Sequence, residues 1–209
     1  MNPRNYSMLR REQYKYLFQL KYEGKVLDLG GDTRNNYHDD LSGEHTIDIA
    51  NLDPETGATL IFDFEKPFPI DSNTYQNIIC LNVLEHVFEY NAVVSEAYRV
   101  LETGGKIVVS TPFLYRVHGF PDDFFRYTDS ALVAILTQHG FKNIKVQPLG
   151  TGIFSVFTQH VSGMIPTVFL RNIFRASAVG MDELCGKLMP RYREFAKQTC
   201  LGYFVTAEK

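Results

Sequence analysis

The sequence predicts an α/β domain: a doubly wound, seven-stranded, mostly parallel sheet with a helical insert before the last strand. Short apolar runs recur at 26–29, 45–49, 59–64, 75–81, 106–111, 141–146 and 202–207. Helical periodicity alternates with them at 5–22, 91–101 and 128–139. Such alternation implies right-handed crossovers onto a parallel sheet. The first run, Val26-Leu27-Asp28-Leu29, passes at once into Gly30-Gly31. That is how a buried strand hands over to a tight turn facing a ligand.

Each element has its own warrant. Over 5–22, Tyr6, Leu9, Gln13, Tyr16, Leu17 and Leu20 trace a helical period that Gly24 stops. Residues 32–41 are polar and read as a loop with at most a short helix. The second strand ends at Asp48, and Asp53-Pro54 with Gly57 marks a loop before the third. The fourth run carries Ile78, Ile79, Cys80 and Leu81, a continuity that fits a strand covered on both faces. Asn91 is the expected N-cap of the helix to Leu101, and Gly104-Gly105 ends it. Thr128 caps the next helix, which turns Leu132, Ile135 and Leu136 inward and stops at Gly140.

A chain of 209 residues suits one domain. Its parts are an N-terminal helix over 1–23, a core over 24–149, an insert over 150–198 and a closing strand over 199–209. In the insert Ile153, Phe157, Val161, Met164 and Val168 follow one helical face, and Phe154, Ile165, Phe169 and Ile173 crowd its neighbour. Gln159, His160, Pro166 and Arg171 interrupt it, so no transmembrane span is expected. Two readings stay open for the insert. One is a lid or core helix pair; the other is a surface for a membrane (over 150–175), a lipid-like substrate or a second subunit in a homodimer. The net charge of −3 with scattered Lys and Arg speaks against a nucleic-acid partner. Cys80, Cys185 and Cys200 are too widely spaced for a disulfide framework, and residues 1–21 have no secretory apolar segment. A cytoplasmic protein is expected, peripheral at the membrane if the insert meets one.

The chemistry is expected where acids end the early strands. Asp28 faces the ammonium of an amino-acid-bearing cofactor, and Asp48 is placed to accept from both ribose hydroxyls. Asp63, beside aromatic Phe64, is placed to bond an adenine amino group. These segments resemble the motifs of the class I S-adenosylmethionine-dependent methyltransferases. Val26-Leu27-Asp28-Leu29-Gly30-Gly31, Ile47-Asp48 and Ile61-Phe62-Asp63-Phe64 are similar to their first three cofactor motifs. The stretch from Asn77 to Val87, with Asn82-Val83-Leu84-Glu85-His86, resembles their fourth-strand motif, and Tyr98-Arg99-Val100-Leu101 with Gly104-Gly105 their helix and turn. The resemblance covers about 24–146 plus 202–207. It implies a Rossmann-like methyltransferase fold and S-adenosylmethionine as cofactor, bound by Asp28, Gly30, Gly31, Asp48, Asp63 and Phe64, with Asn82 lining its methionine side. One position departs: the family's usual glycine is Asp32, whose charge opposes the cofactor's carboxylate and which Arg34 is placed to offset.

A second constellation follows the fifth strand: His118-Gly119-Phe120-Pro121-Asp122-Asp123-Phe124-Phe125-Arg126-Tyr127-Thr128. His118 suits removal of a hydroxyl proton, Asp122 or Asp123 its orientation, and Arg126 with Tyr127 the grip on an anionic or sugar-like substrate. The alternative is a rigid loop in which Arg126 pairs with an Asp. The string is similar to a segment of a methyltransferase subset found beside surface-glycan enzymes, which implies a small-molecule, saccharide or lipid-linked saccharide acceptor, methylated at oxygen. His86 is a further base candidate, with a structural role favoured. A metal centre is not expected, since His86, His118 and Asp122 come from different loops and no His-x-x-x-His or Cys pair supports them. The rivals are a nicotinamide-dependent oxidoreductase, against which stand the failed Gly-x-Gly-x-x-Gly register and the absent Tyr-x-x-x-Lys, and a non-catalytic scaffold.

Overall fold

Strands β1 (Gly24–Leu29), β2 (His45–Asn51), β3 (Leu60–Ile61), β4 (Tyr75–Leu81), β5 (Leu101–Pro112), β6 (Lys142–Leu149) and β7 (Gly202–Glu208) form one sheet in the computed structural model. Their order is β3-β2-β1-β4-β5-β7-β6. The structure describes residues 6–35, 37–119, 122–150 and 152–209. The expected helix start at Asn5, and Phe120-Pro121 of the second constellation, lie outside them. The first five strands run parallel, and β7 inserts antiparallel between β5 and β6, giving the expected mostly parallel sheet.

Period-two alternation along the central strands divides the core. Leu27, Leu29, Ile78, Cys80, Ile107, Val109 and Val205 pack with α2 (Tyr90–Val100) and α3 (Asp129–Gln138). Val26, Ile79, Val108 and Phe204 pack with α1 (Met8–Leu17), through Leu9, Tyr14 and Leu17. Each fully buried Leu or Ile contributes about 1.5–3 kcal/mol. That burial, rather than the propensity of its own ten residues, anchors α1. Among its described residues the β1–β2 crossover carries 3-10 turns at Thr33–Asn35 and His38–Asp40, as the polar composition of 32–41 anticipates. Tyr14, Tyr37 and Leu41 fill the face that a crossover helix would cover.

Several boundaries differ from expectation, each for a local reason. Helix α1 starts at Met8, with Ser7 accepting from the Arg10 N–H, and stops at Leu17. Beyond it the Tyr22 and Gly24 N–H groups are drawn to Ser42 and Glu44 carbonyls. Strand β3 is two residues long, because Asp63 turns the chain by accepting the Glu65 and Lys66 N–H groups. Helix α2 starts at Tyr90, not after an Asn91 cap. Glu65 reaches across from the preceding loop to accept the Phe88 and Glu89 N–H groups at 2.9 and 3.1 Å. Helix α2 ends at Val100, and Gly104, at φ 80°, lies within β5 rather than ending the helix.

The insert forms α4 (Ile153–Val161), α5 (Val168–Leu188) and α6 (Pro190–Gln198), where a helix pair was one expectation. Pro166 falls in the break between α4 and α5, and Pro190 supplies the first residue of α6. Buried Asp182 of α5 accepts the Phe154 and Ser155 N–H groups and so caps α4 from a distance. No helix of the described residues is long and apolar enough to cross a membrane.

Candidate active site

Beyond the carboxyl ends of β1 and β4, α1 covers a cleft of about 350 Å³. Its lining includes Arg10, Gln13, Gly30, Asn82, His86 and His118. The volume lies within the roughly 300–1,000 Å³ usual for small-molecule sites. The turn after β1 brings Gly30 to this cleft at φ 79°. A Cβ there would strike Val83, and one on Gly31 would strike the Asp28 carboxylate. The two glycines therefore let the backbone fold directly over Asp28.

Asp28 does not point into open space. Its buried carboxylate accepts from the Tyr37 hydroxyl and lies 2.7 Å from His38 Nε2. It props the turn from beneath, while Asn51 Nδ2 donates to the Gly31 carbonyl at 2.8 Å from the β2 side. Neither His38 nor Asn51 stood out in the sequence. His38 becomes a site residue because the helix-free crossover folds back under β1. Asn51 does so because β2 runs on past the acid taken as its end.

That acid, Asp48, is a correction. It lies inside β2 opposite Leu27 and accepts from the Tyr75 hydroxyl at 2.8 Å. The residues at the strand's carboxyl edge are Asn51 and then Asp53, which caps the following 3-10 turn through the Glu55 N–H. Asp63 and Phe64 are displaced too, since β3 stops before them. Asp63 closes a turn, and Phe64 is buried with Phe62 and Phe68, ring centroids 5.4 and 6.1 Å away. Asn82 stands at the end of β4 with φ 55°, in the cleft.

Asp32 carries its own counter-ion. Arg34 Nε and a terminal nitrogen hold both carboxylate oxygens at 2.6–3.0 Å, and the Arg34 N–H bonds the same group. The guanidinium keeps this carboxyl below its ordinary range. The departure from the family pattern is thus locally neutralised, as Arg34 was placed to do.

On the acceptor side the loop after β5 folds around Asp123. Its carboxylate accepts the His118 N–H at 2.8 Å, lies 3.3 Å from His118 Nδ1 and forms a two-pronged pair with Arg126. Asp123, not Asp122, therefore orients His118. Asp122 is exposed, and its carbonyl meets His86 Nδ1 at 2.5 Å. Arg126 also donates to the Phe125 and Arg116 carbonyls, so the guanidinium holds the loop. Tyr127 is buried and donates to the Leu84 carbonyl at 3.1 Å, away from the cleft. Partial burial pushes the His118 imidazole below its ordinary value despite Asp123. His118 meets His86 edge to face, ring centroids 5.0 Å apart. Next to them Glu85 is fully buried, and burial pushes its carboxyl up to about 8. The sequence showed Glu85-His86 and His118 in separate loops; both loops leave the same sheet edge and converge there.

A protein-family model described as a methyltransferase domain matches residues 4–146. No curated protein matches the chain. Among solved structures, a chain of the complex between the Haloferax volcanii Trm112 methyltransferase activator and a methyltransferase aligns with TM-score 0.63 and 15% identity, over 96% of this chain and 91% of that one. Haemonchus contortus phosphoethanolamine N-methyltransferase 2, in complex with S-adenosyl-L-methionine, aligns with TM-score 0.59 and 14% identity over 94% of this chain. The chain spans 52% of that protein's length. An S-adenosylmethionine-dependent methyltransferase from Listeria monocytogenes aligns with TM-score 0.57 and 12% identity, over 96% and 98%. At these identities the structural likeness speaks for the fold, while the domain match covers more than half the sequence. The chain belongs to the methyltransferase-domain family and has the fold of the class I S-adenosylmethionine-dependent methyltransferases.

Proposed function

We propose that this chain transfers the methyl group of S-adenosylmethionine to a hydroxyl oxygen of a small-molecule or saccharide acceptor, lipid-linked saccharides included. The observation that carries the reading is one cleft joining the Gly30 turn, Asn82 and His118, inside the segment matched as a methyltransferase domain. S-adenosylmethionine, when bound, supplies a methyl group on a sulfonium centre. The residues fit it: a backbone turn without side chains at Gly30 and Gly31, the Asn82 amide held in place by Gln13, and Arg10 for a carboxylate. In this reading Asp28 and Asn51 hold the turn, and Asn82 bonds the amino-acid end.

His118 and His86 lie where the acceptor enters and assist loss of its proton. Asp123 and Arg126 position His118, with Tyr127 anchoring the loop to the core and Asp122 holding His86. In-line displacement asks mostly for positioning, to which the Asp123 bonds to His118 and Arg126 contribute. The Haemonchus contortus neighbour is named for phosphoethanolamine, a small acceptor. Exposed Phe169, Leu170 and Ile173 on α5, beside Arg171, support membrane contact through the insert, or a homodimer on the same face.

Calorimetry with S-adenosylhomocysteine tests the cofactor claim. Micromolar binding is expected, and a folded protein that stays silent leaves the scaffold reading. Binding of a nicotinamide cofactor instead would establish the oxidoreductase. His118→Ala is expected to reduce turnover with little loss of cofactor affinity; unchanged turnover removes His118 from the reaction.

A further inference from the structure

Glu85 is 0% exposed, and neither of its carboxylate oxygens has a hydrogen-bond partner among the described residues. A carboxyl buried in this way holds its proton unless donors or a cation take the proton's place. The Arg126 guanidinium, which acts on Glu85 through space, is committed to Asp123. What does approach Glu85 is imidazole. His86 Nε2 lies 3.8 Å from Glu85 Oε1. One ligand-capable atom from each of Glu85, His86 and His118 lies within 4.8 Å of the other two.

The rings are also set up for ligation from behind. His86 Nδ1 is 2.5 Å from the Asp122 carbonyl. His118 Nδ1 is 3.2 Å from the Arg116 carbonyl and 3.3 Å from Asp123 Oδ2. An Nδ1–H donated to such an oxygen leaves the lone pair on Nε2, and outer partners of this kind orient metal-bound histidines.

We propose that Glu85, His86 and His118 bind one divalent transition-metal cation at the acceptor end of the cleft. Two imidazoles and one carboxylate favour ions such as zinc, iron(II) or manganese(II) over calcium or magnesium, which take oxygen ligands. Ligands about 2.0–2.2 Å from a common ion stand at most about 4.4 Å apart. The His118 side chain, 34% exposed, is the ligand with room to move toward that spacing. Three protein ligands leave a coordination position open. His86 and His118 line the cleft with Gly30 and Asn82, so two of the three ligands border the space open to an acceptor.

This deepens the methyl-transfer reading and rests on it only for the consequence. A cation held there would accept an oxygen lone pair of the acceptor hydroxyl and ease loss of its proton to water, and the oxygen would then take the methyl group as the sulfur–methyl bond breaks and S-adenosylhomocysteine leaves. In this proposal His86 and His118 act as ligands and assist proton loss only through the cation, against the expectation of no metal centre.

The test uses untagged protein stripped with EDTA and titrated with cobalt(II), without cofactor, while visible absorption is followed. A saturable d–d band at one equivalent is expected. Glu85→Gln and His118→Ala are each expected to weaken cobalt binding more than about 100-fold, beyond the 10–100-fold typical of losing an outer partner. His160→Ala, on exposed α4, is expected to bind as the parent does. No saturable band, or ligand variants that bind like the parent, overturns the proposal. Circular dichroism checks the fold, and His118→Ala, at a partly exposed loop position, keeps the test valid if Glu85→Gln fails to fold. Cobalt binding without S-adenosylhomocysteine binding supports the cation site and removes methyl transfer. S-adenosylhomocysteine binding without cobalt removes the cation site alone.

Discussion

The side-chain amides of Gln13 and Asn82 hydrogen-bond each other reciprocally, at 2.7 and 3.1 Å, and so tie α1 to the end of β4. Gln13 is 1% exposed and also donates to Ser110 Oγ at 2.9 Å, which in turn donates to the Tyr203 carbonyl. An N-terminal helix is thereby fastened to the strand edge that presents the cofactor-side residues. Gln13→Ala strands polar atoms of Asn82 and Ser110 in a buried place, a loss of about 1–3 kcal/mol. Urea unfolding is expected to show that loss, and calorimetry a weaker S-adenosylhomocysteine affinity. Full stability with full affinity would make α1 a passive cover.

Asp32 and Arg34 make a charge pair in a turn whose family pattern has glycine. Arg34→Ala is expected to leave the Asp32 carboxylate uncompensated and to weaken S-adenosylhomocysteine binding. Asp32→Asn added to that variant is expected to restore most of the affinity. If the double variant binds no better than Arg34→Ala, the two residues act through loop shape rather than charge.

How far the sequence reveals this site depends on the range of the forces that build it. The strands were legible because two-sided burial leaves an apolar run, as at Ile78, Ile79 and Cys80. The glycine turn was legible because positive φ at Gly30 demands glycine. Strand ends were not, since they depend on where partners stop pairing. Asp48 sits mid-strand because β2 goes on pairing with β1 through Ala50, and the two-residue β3 leaves Asp63 and Phe64 beyond the sheet. Contacts between distant segments left no periodic signal either. Gln13 with Asn82, His38 with Asp28 and Glu85 with His118 become neighbours only through the topology.

A clamp on α2 should make stability depend on acid pH. The Glu96 carboxylate accepts the Phe68 N–H at 2.6 Å and two Arg99 nitrogens at 2.8 Å, and Arg99 also donates to the Phe68 and Ile70 carbonyls. Arg99 and the Phe68 N–H hold this carboxyl below its ordinary value. A depressed folded-state value means the contribution is full above the unfolded value of about 4.3 and is lost as pH falls through the folded one. Glu96→Gln is expected to cost about 1–2 kcal/mol at pH 7, a modest figure because Arg99 is about one-third exposed. The difference between variant and parent should start to shrink as pH falls below about 4.3 and vanish only below the folded-state value. A stability difference constant from pH 3 to 7 would show that the bonds survive protonation.

Arg126 and Asp123 carry the loop that presents His118. The Asp123 side chain is 2% exposed and that of Arg126 is 24% exposed. Removing the guanidinium strands a buried carboxylate, which costs about 3–5 kcal/mol for fully buried pairs and less here because Arg126 reaches water. Arg126→Ala is therefore expected to lower the melting temperature and turnover together, since the His118 N–H bond to Asp123 depends on the same carboxylate. Asp123→Asn in the Arg126→Ala background removes the stranded charge, so the double variant is expected to be more stable than Arg126→Ala alone. Turnover should stay low, because the amide no longer orients His118 as the carboxylate does. A double-variant cycle with purely additive stability losses would mean that the two side chains act independently, and that the loop is held by its backbone contacts to Glu85 instead.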